Sequence, residues 1–95
     1  MAAWAVEDWA DRDPRNKPQL EALPDGRLIA TDPTHGRLLL FSNAGTVTAR
    51  LDTVLDVPLF SPGGIVFDAA KGYVYVTDGL AGHVRRFPFT DFALR

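Results

Sequence analysis

Cysteine is absent from the 95 residues, which removes disulfide frameworks and thiolate metal sites and is compatible with a reducing compartment. No apolar run approaches the roughly 18 to 20 residues that cross a bilayer as a helix, so no membrane span is expected. An excess of charge of one sign is lacking too: 10 Lys and Arg stand against 12 Asp and Glu, a formal net charge of −2 with acids and bases interspersed. That balance offers no general attraction to nucleic acid or anionic lipid, and both are disfavoured as partners. The opening MAAWAVEDW meets Glu7 and Asp8 before any apolar core of useful length, so it does not read as a signal peptide. These features leave the cellular compartment unspecified. The length allows one small domain, marginally stable if it stands alone.

What the sequence contains is a repeat. Residues 26–41, GRLIATDPTHGRLLLF, return as residues 72–87, GYVYVTDGLAGHVRRF, and Asp78, Gly82 and Phe87 each lie 46 positions after Asp32, Gly36 and Phe41. An offset in that range is the length of one propeller blade. In the first copy, runs at 18–23, 27–31, 37–41 and 46–51 read as short strands, separated by turns at Pro24-Asp25-Gly26, 32–36 and Asn43-Ala44-Gly45. Four such strands predict an antiparallel meander. Residues 52–62 form a connection too apolar for a free linker, and the meander then restarts over 63–95. A two-residue insertion in the 68–72 turn is expected, because Pro62 follows Pro18 by 44 positions rather than 46.

The second copy stops before a full fourth strand. Residues 1–17 offer a replacement: Trp4, Val6 and Trp9 mark a short strand, with a helix as the rival reading, placed where the fourth strand of a preceding blade would fall. These three residues are the expected blade-closing anchors, and 11–17 reads as a surface loop. Both faces of Tyr73-Val74-Tyr75-Val76 and Leu28-Ile29-Ala30 are apolar, as in sheets covered on both sides. Two stacked blades would leave large apolar faces exposed, which soluble monomers seldom tolerate, and propellers close with four to eight blades. The chain is therefore expected to associate with itself or to be a piece of something longer.

At these residues the sequence resembles the NHL-repeat class of β-propellers. Pro62, Gly63, Ile65 and Asp68, then Gly72, Val74, Tyr75, Val76, Thr77 and Asp78, then His83, Val84 and Phe87 match the repeat unit closely. The first copy diverges more, with Pro18, Leu20 and Gly26 for the opening, Ala30-Thr31-Asp32 for Val-Thr-Asp and Arg37-Leu38 for His-Val. Similar repeats occur at the ends of large bacterial membrane proteins. The resemblance implies an all-β fold of two four-stranded antiparallel blades completed by oligomerisation, with three copies giving six blades as the preferred ring. It also implies protein, RNA or glycan ligands at the open ends, while lactonase-like and lyase relatives bind a metal in the central channel; fold does not choose between them.

Asp32 and Asp78 end the second strand of each copy, where a carboxylate can accept N–H bonds from the following turn. Their repetition favours a structural role over metal ligation or catalysis, since a catalytic group need occur only once. His35 and His83 occupy unmatched positions and have no metal-ligand spacing, which disfavours a zinc site within one chain; convergence of one His per copy on an axis is the alternative. Gly63-Gly64 lacks the following Lys-Ser/Thr and helix of a phosphate loop. Arg85 and Arg86 replace Leu39 and Leu40 of the first copy; a solvated edge is the plainer reading, contact with an anionic partner the sharper one. No nucleophile triad and no cofactor motif stand out. The leading expectation is a non-catalytic interaction or scaffold module that binds itself and a protein or glycan ligand. The alternative is a metal-dependent lactonase-like hydrolase.

Overall fold

Tight glycine turns between short apolar runs fold the chain into two antiparallel meanders, as the computed structural model describes for residues 5–11, 17–54, 57–79 and 82–90. The first sheet contains β1 (Leu20–Ala22), β2 (Leu28–Asp32), β3 (Arg37–Phe41) and β4 (Val47–Leu51), side by side in chain order. A two-stranded ladder of β5 (Thr53–Val54) and β6 (Val57–Pro58) follows, and then a three-stranded sheet of β7 (Pro62–Asp68), β8 (Tyr73–Asp78) and β9 (His83–Pro88). The architecture is all-β with two principal antiparallel sheets.

The register relates the two sheets residue by residue. Leu20, Glu21 and Ala22 pair with Ala30, Ile29 and Leu28, and Ile65, Val66 and Phe67 pair with Val76, Tyr75 and Val74 at the matching positions. The expected two-residue insertion is divided. One extra residue lies in the turn between Phe67 and Val74, and the other is a bulge between Pro62 and Ile65. Gly63 and Gly64 occupy the bulge, where a Cβ would crowd the Thr77 hydroxyl at 3.3 and 3.4 Å. The connection is also more structured than a packed loop: β5 and β6 pair within it, and Leu59 beyond them is buried in the core.

The main core lies between the sheets. Ile29, Leu38, Leu40 and Leu51 of the first meet Ile65, Val74, Val76 and Phe87 of the second, with Leu23 and Leu59 at its margins. Hydrogen bonding crosses the same interface, since the Phe67 N–H donates to Glu21 Oε2 at 3.0 Å. A smaller cluster of Ala30, Leu39 and Phe41 lies on the opposite face of the first sheet, and Val6 and Trp9 pack on it. Trp9 tilts against Phe41 with ring centroids 6.0 Å apart. The N-terminal expectation changes here: Glu7–Trp9 is a single 3₁₀ turn, preceded by extended backbone at Val6. Trp4 lies outside the described residues.

Gly36 holds the first sheet to the connection. Its φ is +64°, and a Cβ there would lie 2.7 Å from the Leu59 carbonyl oxygen and 3.2 Å from that of Phe60. Strain in the left-handed region is of order 1–3 kcal/mol for a residue with a side chain, and the backbone clash adds to it. Gly36→Ala is accordingly expected to lower the urea midpoint with an unchanged denaturant slope. Gly72→Ala, at φ +71° with nothing near its Cβ, should carry the strain cost alone.

Candidate interaction surface

Equivalent residues of the two repeats point in opposite senses relative to the core. Ile29 and Leu40 face inward from the first sheet, whereas their counterparts Tyr75 and Arg86 lie on the outer face of the second. Conversely, Ala30 and Phe41 lie on the outer face of the first, and their counterparts Val76 and Phe87 are in the shared core. The sheets are therefore stacked front to back. A two-fold sandwich would bury the same positions from both copies, whereas this joint is heterologous and leaves one front and one back unjoined.

Those two free faces are not alike. The back of the first sheet is covered by the N-terminal segment, so every residue from Ile29 to Asp32 and from Leu38 to Phe41 is buried. The front of the second sheet has no such cover among the described residues. Val66 is 57% exposed and Val84 70% exposed, and with Tyr75, Thr77 and Gly64 they line a shallow apolar groove. Arg86 borders this face and lies over the Tyr73 ring at 4.8 Å. On its far side β9 has no strand partner among the described residues, which leaves an edge open to pairing.

The repeated Thr-Asp pair works as a tie within each copy. Thr31 Oγ1 accepts from the Gln19 N–H, and Thr77 Oγ1 from the Gly64 N–H, both at 2.8 Å. Asp78 is fully buried and accepts from the N–H groups of Phe60 at 3.0 Å and Ser61 at 2.9 Å. These donors precede the strand; the expected ones belong to the turn after it, of which residues 80 and 81 lie outside the described residues. Asp32, equally buried, binds side chains: Arg37 Nε at 2.9 Å and His35 Nδ1 at 2.9 and 3.0 Å. Asp32 and Asp78 thus stand at one repeat position with different partners.

The two arginines part company because adjacent strand residues point to opposite faces. Arg85 is 8% exposed, donates from Nη2 to the Pro58 carbonyl at 2.7 Å and lies 3.4 Å from Asp78 Oδ2. Only Arg86 faces outward, and Arg85, expected beside it as a surface residue, is buried instead. The signal was present in the sequence, since Phe87 in the core places Arg85 on its side and Val84 with Arg86 on the other. His83 pairs across the sheet with Asp78 at the backbone and is exposed. Among the described residues no group of three or more His, Cys, Asp or Glu converges as a metal set.

A charged network fastens the N-terminal segment to the first sheet. Asp8, in the middle of the 3₁₀ turn, accepts from Arg50 Nε at 2.8 Å, Arg50 Nη2 at 3.0 Å and Arg37 Nη2 at 2.9 Å. The Arg50 hydrogen bonds first, then the charges of Arg50, Arg37 and His35, hold the Asp8 carboxyl below the usual range against its partial desolvation. Arg37 reaches Asp32 with its other donor, and His35 joins Asp32 to Asp11. Local sequence rules miss this network, since Asp8 lies 29 and 42 residues from its two partners.

No family model, curated protein or solved structure matches this chain.

Proposed function

We propose that the chain is a non-catalytic scaffold unit that assembles with copies of itself into a closed NHL-like β-propeller, with three copies and six blades as the preferred ring. The observation that carries this reading is the front-to-back stacking. The chain makes the joint once internally, leaves the front of its second sheet open among the described residues, and carries the back of its first sheet under the N-terminal segment as the surface to meet it. In the ring, the second sheet's front, with Val66, Tyr75 and Val84, packs toward the back of the next copy's first sheet. The N-terminal segment of that next copy stays on its own sheet through Val6 and Trp9 and brings the extended backbone at Val6 beside β9 to complete the blade. The open ends of such a ring would take a protein or glycan ligand, and Arg86 lies on the surface that joins the copies.

Light scattering of the native protein tests the ring. The intact chain is expected at three times its own mass. Val84→Glu places a carboxylate on a residue that is 70% exposed, so folding should be unchanged by circular dichroism while the mass falls to that of one chain. An intact protein that stays at single-chain mass at all concentrations, or a V84E protein that assembles as before, overturns the reading.

A further inference from the structure

We propose that the N-terminal segment is a pH-sensitive latch, seated on the first sheet while His35 is charged and released at its Asp11 end when His35 is neutral. The geometry carries the argument. His35 Nδ1 lies 2.9 and 3.0 Å from the two oxygens of Asp32, and His35 Nε2 lies 3.2 and 3.3 Å from the two oxygens of Asp11. Both ring nitrogens therefore face carboxylates. A neutral imidazole has one N–H and one lone pair, so it can donate to only one of them and must turn the lone pair toward the other. An imidazolium donates to both.

The two carboxylates have different freedom to respond. Asp32 is fully buried at the end of β2 and is also held by Arg37, whereas the Asp11 side chain is 75% exposed just beyond the 3₁₀ turn. On loss of the proton, the contact to give way is the one to Asp11. The charged groups around His35 among the described residues are Asp32 from β2, Arg37 from β3, and Asp8 and Asp11 from the N-terminal segment. With His35 charged, the linked set of Asp8, Asp11, Asp32, His35, Arg37 and Arg50 is balanced, three against three. With His35 neutral it carries an excess negative charge.

Hydrogen bonds to Asp32 and then to Asp11 raise the His35 pKa above its ordinary value. A group raised in the seated state favours seating fully below its free value, about 6.5, and that contribution is lost as pH rises through the raised value. The latch thus holds in mildly acidic solution and loosens toward alkaline pH. Asp8, bound by Arg37 and Arg50, keeps the front of the turn in place, so release is partial and local, loosening the chain from Trp9 to Asp11.

The Trp9 indole is the probe, since its Nε1 is buried with no hydrogen-bond partner among the described residues and its protection reports seating. Its hydrogen-exchange protection factor, followed by NMR on the full chain between about pH 5.5 and 8.5, the window in which imidazole titrates, should fall with the same midpoint as the His35 ring signals, above 6.5. Asp11→Asn, a change on an exposed side chain, should lower that midpoint. His35→Gln should abolish the transition, and His83→Gln should leave it intact. Protection that is flat with pH, a transition that survives H35Q, or a midpoint unmoved by D11N would overturn the latch. The readout comes from one chain and does not depend on the ring. If the ring forms, its mass should share the midpoint, and if the chain stays single the Trp9 measurement still decides.

Discussion

Asp78→Ala is expected to lower folding stability by about 3–5 kcal/mol, the usual cost of removing one partner from a buried ion pair. The carboxylate is fully buried, accepts the Phe60 and Ser61 N–H groups and faces the Arg85 guanidinium. Its removal takes the acceptor from those backbone donors and one charge partner from the buried Arg85. Domains of this kind have a total stability of roughly 5–15 kcal/mol, so much of the margin would be lost. Asp78→Asn should cost less, because an amide oxygen can still accept one of the N–H bonds. Asp32→Ala should also cost less than Asp78→Ala, since its partners Arg37 and His35 are partly exposed and can turn to water. Urea titration followed by circular dichroism ranks the three variants. If D78A unfolds within about 1 kcal/mol of the parent chain, the value of a typical neutral hydrogen bond, the carboxylate is not the tie described.

The second large effect is expected at Phe87, and its repeat counterpart supplies the control. Phe87 is fully buried between the sheets among Val74, Val76 and Leu40. Truncating such a residue to Ala costs about 3–5 kcal/mol, through lost transfer energy and the cavity left behind. Phe41 is as well buried but lies under Val6 and Trp9, a thin cover able to settle into the vacated space. The cost of a cavity depends on how well its walls collapse, so Phe41→Ala should be the milder change. The two should also differ locally: F41A should remove the protection of the Trp9 indole, while F87A, under conditions where it is folded, should keep it. Equal losses of stability with equal effects on Trp9 would contradict the division into two clusters.

Much of this was legible in the sequence because it is local. Glycines at fixed intervals, runs of Leu, Val and Tyr and the offset of 46 residues specify short strands joined by tight turns, and antiparallel neighbours follow from short connections. The connection at 52–62 was legible as packed, but its β5–β6 ladder was not, because two-residue strands carry no periodicity. Pro62 against Pro18 revealed that two residues had been added. Only the register showed that one of them is a bulge at Gly63-Gly64. The N-terminal segment illustrates the limit of local reading: Val6 and Trp9 were identifiable as packing anchors, yet the turn at Glu7–Trp9 is fixed by Asp8 reaching Arg37 and Arg50 on distant strands. The partners of Asp78 were hidden for the same reason, since its donors lie 17 and 18 residues upstream.

The buried Arg85 has a bearing on how uniquely the connection can seat on the second sheet. Faces made of Val, Leu, Ile and Phe are close to interchangeable, and a slide of one step along a strand would exchange one apolar neighbour for another at small cost. Arg85 cannot slide in this way. Its guanidinium is placed for the Pro58 carbonyl of β6 and the Asp78 carboxylate of β8, so a shifted connection would take that carbonyl away from a buried charge. A polar contact of this kind at a mostly apolar seam thereby acts as an indexing pin: it adds little adhesion, and it penalises a misplaced connection.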